Sequence, residues 1–277
     1  MFDKTHLSIL EPFLCLESHD WGDLIHFGDD VFGIAEAPNA IESFRCLLRE
    51  LAHQPGKALV FCGTSRCFCP ERCSALLRQL GDMQKPLEGR RVFTSPLAGF
   101  AMAREENVFG GLIRWLRSVS RPVIMVFQGD VSLAFLGIGL ACDLRIATSD
   151  TVFHNQGRDL DMPPGAGLLY LLPAYVGQGR AGDIVMRTAR MSAQTACEWG
   201  LLTEVVAPSE LDQTLRKMAA EASCYSAETM NTIKQMLNHS LPSFDDFFTM
   251  ETQGLNKALR GRPWDKLTDG GSSDAPS

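Results

Sequence analysis

Apolar positions in the front of the chain follow two rhythms that alternate. Ile41, Phe44, Leu47, Leu48 and Leu51 recur every three or four residues, which predicts a helix from Ala40 to Leu51 entered through Pro38-Asn39 and closed by Gly56. Ala58 to Cys62 is an unbroken apolar run closed by Gly63, the mark of a strand buried on both faces. The same alternation returns downstream. Residues 98–118 predict a helix with Phe109, Leu112, Ile113 and Leu116 on one face. Pro122 to Phe127 is a β-branched strand, Val131 to Ala141 an apolar helix, Leu144 to Thr148 a third strand and Val152-Phe153 a fourth. Between these, Thr64 to Cys73 reads as a polar turn, 74–80 as helix and 81–96 as a loop rich in Gly, Pro and charge. Residues 1–37 mix short apolar patches with Asp and Gly, which suits β-hairpins. After Pro163-Pro164-Gly165 the pattern is helical only: 167–176, 179–186, 193–199, 211–224, 227–238 and 243–259. The expectation is an α/β domain over 1–208, a helical region over 209–267 and a disordered tail over 268–277.

Composition narrows the function classes. With 277 residues, 45% hydrophobic and 21% charged, the chain suits one large soluble core. The longest apolar candidate for a membrane span, Pro122 to Leu140, is interrupted by Gln128, Gly129 and Asp130, so no span is expected. The N-terminus, with Asp3, Lys4 and His6, does not read as a secretion signal. A net charge of −7 and the lack of a basic cluster argue against nucleic-acid binding, although Arg90-Arg91 is a local basic spot that could meet a phosphate. Nine cysteines, an odd number, suit reduced thiols in a cytoplasm. Cys62, Cys67, Cys69 and Cys73 lie close together, but they do not form two separated pairs, so no metal is expected.

One ordered set of motifs carries more. Arg121-Pro-Val-Ile-Met-Val-Phe-Gln-Gly129 is followed by Asp143-Leu-Arg-Ile-Ala147, Phe153, Pro164-Gly-Ala-Gly167, Leu172-Pro173, Val176-Gly177, Trp199-Gly-Leu201 and Val205-Val206-Ala-Pro208. This resembles the enoyl-CoA hydratase/isomerase (crotonase) superfamily, whose members carry KPVIAAVNG, CDLRIA, PGAGG…LPRLVG and WGLV..VVP in that order. The resemblance implies the crotonase (ClpP-like) fold of stacked β/α repeats. It also implies an oxyanion hole of two backbone N–H groups, which holds the charge that grows on a thioester oxygen as an enolate forms. The first donor lies in a turn like RAFCAGAD, here Arg66 to Cys73, and falls on Arg72. The second lies in a Gly-Gly-Gly turn, here Leu133-Ala134-Phe135, and falls on Ala134.

Hydratases of the superfamily also use two glutamates, one to activate water and one to protonate carbon. The resemblance puts them at Gly137 and Gly157, neither of which can exchange a proton. Three readings follow. The enzyme could need little acid/base help, as a decarboxylase or other lyase would; the members that work in polyketide β-branching also lack both glutamates. It could be an isomerase or hydrolase with relocated groups, for which His154, Asp159 and Asp161 lie in the right loop. It could be a non-catalytic thioester-binding or assembly protein. His154 follows a strand, where a structural hydrogen bond is its ordinary use, and loop aspartates mostly cap turns. Asp143 and Arg145 match structural positions.

The resemblance implies no cofactor beyond the coenzyme A or phosphopantetheine of the substrate, and a homotrimer or hexamer formed through 209–267. An acyl carrier protein is a candidate partner, although the acidic charge does not favour one.

Overall fold

The computed structural model describes residues 3–54, 57–82, 84–87, 90–93, 108–239 and 241–260. The 268–277 tail and the 98–107 start of one expected helix lie outside the described residues.

The chain opens with α1 (Lys4–Leu10), β1 (Leu14–Ser18), β2 (Gly22–Phe27), α2 (Gly33–Glu36), α3 (Pro38–Ala52) and β3 (Ala58–Gly63). It continues through α4 (Pro70–Asp82), β4 (Gln84–Leu87), β5 (Arg90–Phe93), α5 (Val108–Ser118), β6 (Val123–Phe127), β7 (Asp130–Ser132) and α6 (Leu133–Leu140). Then come β8 (Leu144–Thr148), β9 (Val152–His154), α7 (Gln156–Asp159), α8 (Leu168–Met186), β10 (Arg190–Ser192), α9 (Ala193–Glu198) and β11 (Glu204–Val206). A 3-10 turn leads into α10 (Leu211–Ala222), α11 (Ala227–His239) and α12 (Phe244–Arg260).

Six strands form the main sheet in the order β1-β2-β3-β6-β8-β11, parallel except for the β1–β2 hairpin. A second sheet, β10-β9-β7, stands beside it. Alternation within each strand sorts its side chains to the two faces. Ile25, Phe27, Leu59, Phe61, Met125 and Phe127 enter the large core shared with α3, α5, α6 and α8. Leu24, Val60, Cys62, Ile124 and Val126 face Leu215, Met218 and Ala219 of α10. Both faces are covered, which is why these strands read as continuous apolar runs. Each such side chain contributes about 1.5–3 kcal/mol on burial.

Two buried ion pairs lock the strand starts. Arg121 is 1% exposed and donates to Asp23 Oδ2 (2.6 Å), Lys57 O (2.7 Å) and Leu51 O (2.9 Å), so it ties β2, β3 and α3 to the entry of β6. Lys234 of α11 meets Asp143 at 2.7 Å, and the same carboxylate accepts the N–H of Val123 (2.7 Å). Arg145 donates to Leu201 O and Cys142 O.

The structure departs from the sequence expectations in several places. Lys4–Leu10 is a helix, where hairpins were expected; the Asp3 side chain accepts the N–H of Thr5 and starts it. Helix α4 begins at Pro70, inside the expected 64–73 turn. The expected 81–96 loop contains the antiparallel β4–β5 hairpin, with Arg90 and Arg91 in β5. After Gly165, where only helix was expected, the short strands β10 and β11 pair with β9 and β8. The expected break between 167–176 and 179–186 is present as a kink at Gly177, whose φ of 73° and ψ of 161° only glycine adopts readily. Among the described residues no helix is long and apolar enough to cross a membrane.

Candidate active site

The carboxyl ends of the parallel strands β3 and β6 lie side by side, and each feeds a helix start. In open parallel sheets this end is where ligands bind. After β3 the chain turns through 64–69, where Thr64 Oγ1 accepts the N–H of Cys67 (3.0 Å) and donates to Asp29 (2.6 Å). Pro70 then opens α4 at the first helical position, which suits a residue without an N–H. After β6 the chain passes β7 and enters α6 at Leu133. The Ser132 N–H donates to Phe68 O (2.8 Å), and the Ser132 hydroxyl reaches Cys73 Sγ (3.7 Å) in the first turn of α4. The two helix N-termini are thereby stitched together.

Both expected donors sit in first turns, where backbone N–H groups have no helical acceptor. Ala134 is the second residue of α6, and Ser132 at the N-cap makes no side-chain capping bond. Arg72 is the third residue of α4. Nearby, burial raises the pKa of the Cys69 thiol above its ordinary value. The Arg72 guanidinium turns away to Asp30 (2.7 Å) and Asp29 (3.4 Å).

Phe135 occupies the interior beside this turn. It is 3% exposed and packs on Phe68 (ring centroids 4.8 Å apart), Phe32 (5.2 Å) and Phe109 (5.9 Å). Next to these rings lies an apolar cavity of about 40 Å³, lined by Phe27, Phe61, Phe68, Phe109 and Ile138 among others. A single water needs about 10–15 Å³ of such space, so the cavity takes a small apolar group of a few heavy atoms.

The two positions assigned to the family glutamates are closed by backbone. A Cβ at Gly137 would stand 2.4 Å from Ala166 O and 2.6 Å from the nitrogen of Leu168, where α8 begins. A Cβ at Gly157 would stand 2.5 Å from Met162 O. Neither position accepts even a methyl group without a shift of main chain.

His154 lies at the end of β9 and its Nε2 is 2.6 Å from Asp130 Oδ1 at the surface. Asp159 ends α7 and Asp161 follows with φ of 45°; both are exposed. The β7–β9 ladder sets His154 opposite Ser132 at the start of α6, with its ring held on Asp130, whereas Asp159 makes no hydrogen bond or ion pair to Phe135 or the α6 start among the described residues.

Two groups absent from the sequence expectations lie nearer. Gln156, 9% exposed, donates from Nε2 to Pro70 O and to Ser74 Oγ (3.1 Å), which anchors α7 on α4. Its Oε1 has no partner among the described residues. Glu251 of α12, also 9% exposed, accepts the N–H of Gly167 at 3.2 and 3.4 Å. Burial pushes its carboxyl up to about 7, against the lowering effect of that N–H. The signal for Glu251 was in the sequence: Phe244, Phe248, Glu251 and Leu255 share one helix face, so the acid interrupts an apolar stripe.

Cys62, Cys67, Cys69 and Cys73 are buried thiols, and among the described residues no three metal-ligating side chains converge.

The family model described as Enoyl-CoA hydratase/isomerase matches residues 101–253. The chain belongs to the enoyl-CoA hydratase/isomerase family. Among curated relatives, the short-chain-enoyl-CoA hydratase of Clostridium acetobutylicum is 29% identical over 158 residues, 56% of this chain and 60% of the relative. The trans-2-decenoyl-[acyl-carrier-protein] isomerase of Streptococcus mutans is 28% identical over 145 residues, 52% of this chain and 55% of the relative. The chain thus spans little more than half the length of these curated relatives. Crotonase-fold structures superpose over nearly the whole chain. One is a methylmalonyl-CoA decarboxylase in complex with 2-nitronate-propionyl-CoA, with a TM-score of 0.66 at 18% identity, covering 92% of each chain. At that identity the likeness establishes the fold.

Proposed function

We propose that this family member acts on an acyl thioester, carried by coenzyme A or by phosphopantetheine, through an enolate held at the joined starts of α4 and α6. In the leading form of the proposal the reaction is a decarboxylation or a related lyase step that needs no glutamate pair. The observation that carries the proposal is the stitched pair of helix starts at the carboxyl ends of β3 and β6, with no side-chain cap from Ser132 on α6. First-turn N–H groups and helix dipoles give each of the two starts a positive potential, which the proposal directs at one thioester oxygen. Each donor aimed at a developing oxyanion is worth about 3 kcal/mol of barrier.

Loss of carbon dioxide generates the enolate without a base, so it is the enolate-forming step least affected by closure at Gly137 and Gly157. The small apolar cavity beside Phe135 suits a short or methyl-branched acyl group. In a decarboxylase the thioester carbonyl accepts from the Ala134 N–H and from that of Arg72. The electron pair of the broken carbon–carbon bond moves to the thioester oxygen, carbon dioxide leaves, and the α-carbon then takes a proton.

Phe135 supports a second reading of another class. Its ring fills the interior next to the Ala134 N–H, as expected of a thioester-binding or assembly protein that performs no chemistry. Isomerisation or hydrolysis through His154, Asp159 or Asp161 requires those side chains to swing in from the surface. Assembly into a homotrimer or hexamer through α10 to α12 is part of the proposal, as is a cytoplasmic setting.

The test is a panel of malonyl-, methylmalonyl-, 2-enoyl- and 3-enoyl-CoA thioesters, with turnover followed by mass spectrometry and binding by calorimetry. Release of carbon dioxide from a β-carboxyacyl thioester, unchanged in Asp161→Asn, supports the leading form. Saturable binding without turnover of any member selects the binding protein. No binding of any thioester overturns both.

A further inference from the structure

The proposed enolate must be protonated, and the usual acid positions are blocked. What blocks Gly137 is the 166–168 backbone, and that backbone is itself held by a carboxyl group. The N–H of Gly167, between the two groups that crowd Gly137, donates to both oxygens of Glu251. This chain of contacts puts the carboxyl within about 8 Å of the point where a side chain at 137 would leave α6.

The loop is unusual. Ala166 has φ of 57° and Gly167 φ of 70°, two successive left-handed residues, and the first has a side chain that disfavours that region by about 1–2 kcal/mol. The Gly167 N–H in this loop points at Glu251 and at no main-chain acceptor among the described residues. Strained backbone of this sort persists where surrounding structure over-determines it.

The surroundings leave the carboxyl without a counter-ion among the described residues. Gly167 packs on Ile113 of α5 and Phe244 of α12, and Gly165 faces Leu255. Of the charges on α5, Arg114 is committed to Asp245 and the faces of Phe244 and Phe248, and Arg117 to Asn238 and Tyr170. On α12 itself, Asp245 is taken by Arg114. A buried carboxyl with a single N–H partner and no cation is poor structural glue, since burying a charge without pairing it costs stability.

We infer that Glu251 is the proton-exchanging carboxyl of this thioester site, supplied by the C-terminal helix in place of the glutamates absent at 137 and 157. The inference rests on the acyl-thioester reading above. In a decarboxylation the enolate α-carbon takes the proton of the Glu251 carboxyl. The enolate electron pair forms the new C–H bond, the thioester carbonyl is restored, and Glu251 is left as a carboxylate that solvent reprotonates. Transfer over that span requires the loop and carboxyl to draw in or a short relay of waters, and catalytic contacts that are long in an apo structure tighten when substrate binds. A carboxyl that titrates near 7 is half protonated at neutral pH, which is where a general acid works best.

The experiment uses the full chain, Glu251→Gln and Glu251→Asp. Glutamine keeps an oxygen for the Gly167 N–H but cannot give up a proton as a carboxyl does. Each protein is mixed with methylmalonyl-CoA in D2O, and separately with propionyl-CoA, to read decarboxylation and α-carbon exchange by mass spectrometry. The expected result is wild-type deuteration at one face of the α-carbon and a rate that falls as pH rises through about 7. Glu251→Gln should lower kcat by about 10²-fold or more with KM held within about threefold, and should abolish that pH limb; Glu251→Asp should restore part of both. Wild-type kcat and an unaltered limb in a folded Glu251→Gln protein overturn the inference and leave the thioester reading standing. So does wild-type thioester binding with neither turnover nor exchange. Absence of thioester binding to wild type overturns the underlying reading and this inference together.

Discussion

At the scale of single residues, two side chains set the terms of the site. Phe135 fills space that its aromatic neighbours Phe32, Phe68 and Phe109 enclose. Phe135→Ala removes that ring from a closed core and should cost about 3–5 kcal/mol, read by urea unfolding. The same variant should bind acyl-CoA more tightly than wild type if the ring obstructs a thioester, and calorimetry on the folded variant reads this directly. Glu251 gives a pH signature. Its carboxyl titrates at about 7 in the folded protein, against 4.5 for an ordinary glutamate in an unfolded chain, so between those values the folded protein holds more protons. The contribution of this group to stability is therefore full below pH 4.5 and is lost as pH rises to about 7, by ~3 kcal/mol in all. Glu251→Gln should remove that slope, which denaturation at a series of pH values checks. The sequence marked the start of α6 to within two residues but put the start of α4 at 74, four residues late, because Cys69-Pro70 reads as a turn. Closure at Gly137 and Gly157 was not legible there, because it depends on the approach of backbone from Ala166, Leu168 and Met162.

Elements were legible in proportion to how fully they are buried. Strands β3, β6 and β8 announce themselves because both faces of the sheet are covered, which leaves no room for polar interruption. Helix α3 declares itself through a wide apolar stripe from Ile41 to Leu51. By contrast α1 has seven residues and buries only Leu10, so no periodicity could mark it. The β4–β5 hairpin carries Lys85, Arg90 and Arg91 and shows no alternation. Helix α11 is anchored differently, through one buried charge. Lys234 is 3% exposed, and the burial that raises the pKa of Asp143 is opposed chiefly by that ammonium group. Lys234→Met should leave Asp143, whose side chain is 30% exposed and still accepts the Val123 N–H, without its ammonium partner, at a cost of about 1–3 kcal/mol in chemical denaturation.

Across the whole molecule the nine cysteines form a graded series. Cys15 and Cys224 are exposed, Cys46 and Cys197 intermediate, and Cys62, Cys67, Cys69, Cys73 and Cys142 buried. Burial pushes the thiols of Cys62 and Cys73 to about 11 and those of Cys67 and Cys142 to about 12, so little thiolate exists at neutral pH. Titration with a thiol reagent should show two fast cysteines in the native protein and all nine in denaturant. Early reaction of Cys69, which is buried, would mean that the α4 start opens in the native state.

The contact between Gly137 and the 166–168 backbone also bears on redesign. A side chain placed at 137 meets Ala166 O and Leu168 N, and one placed at 157 meets Met162 O. Installing a carboxylate at either position therefore asks for a rearranged loop and not only for a point change.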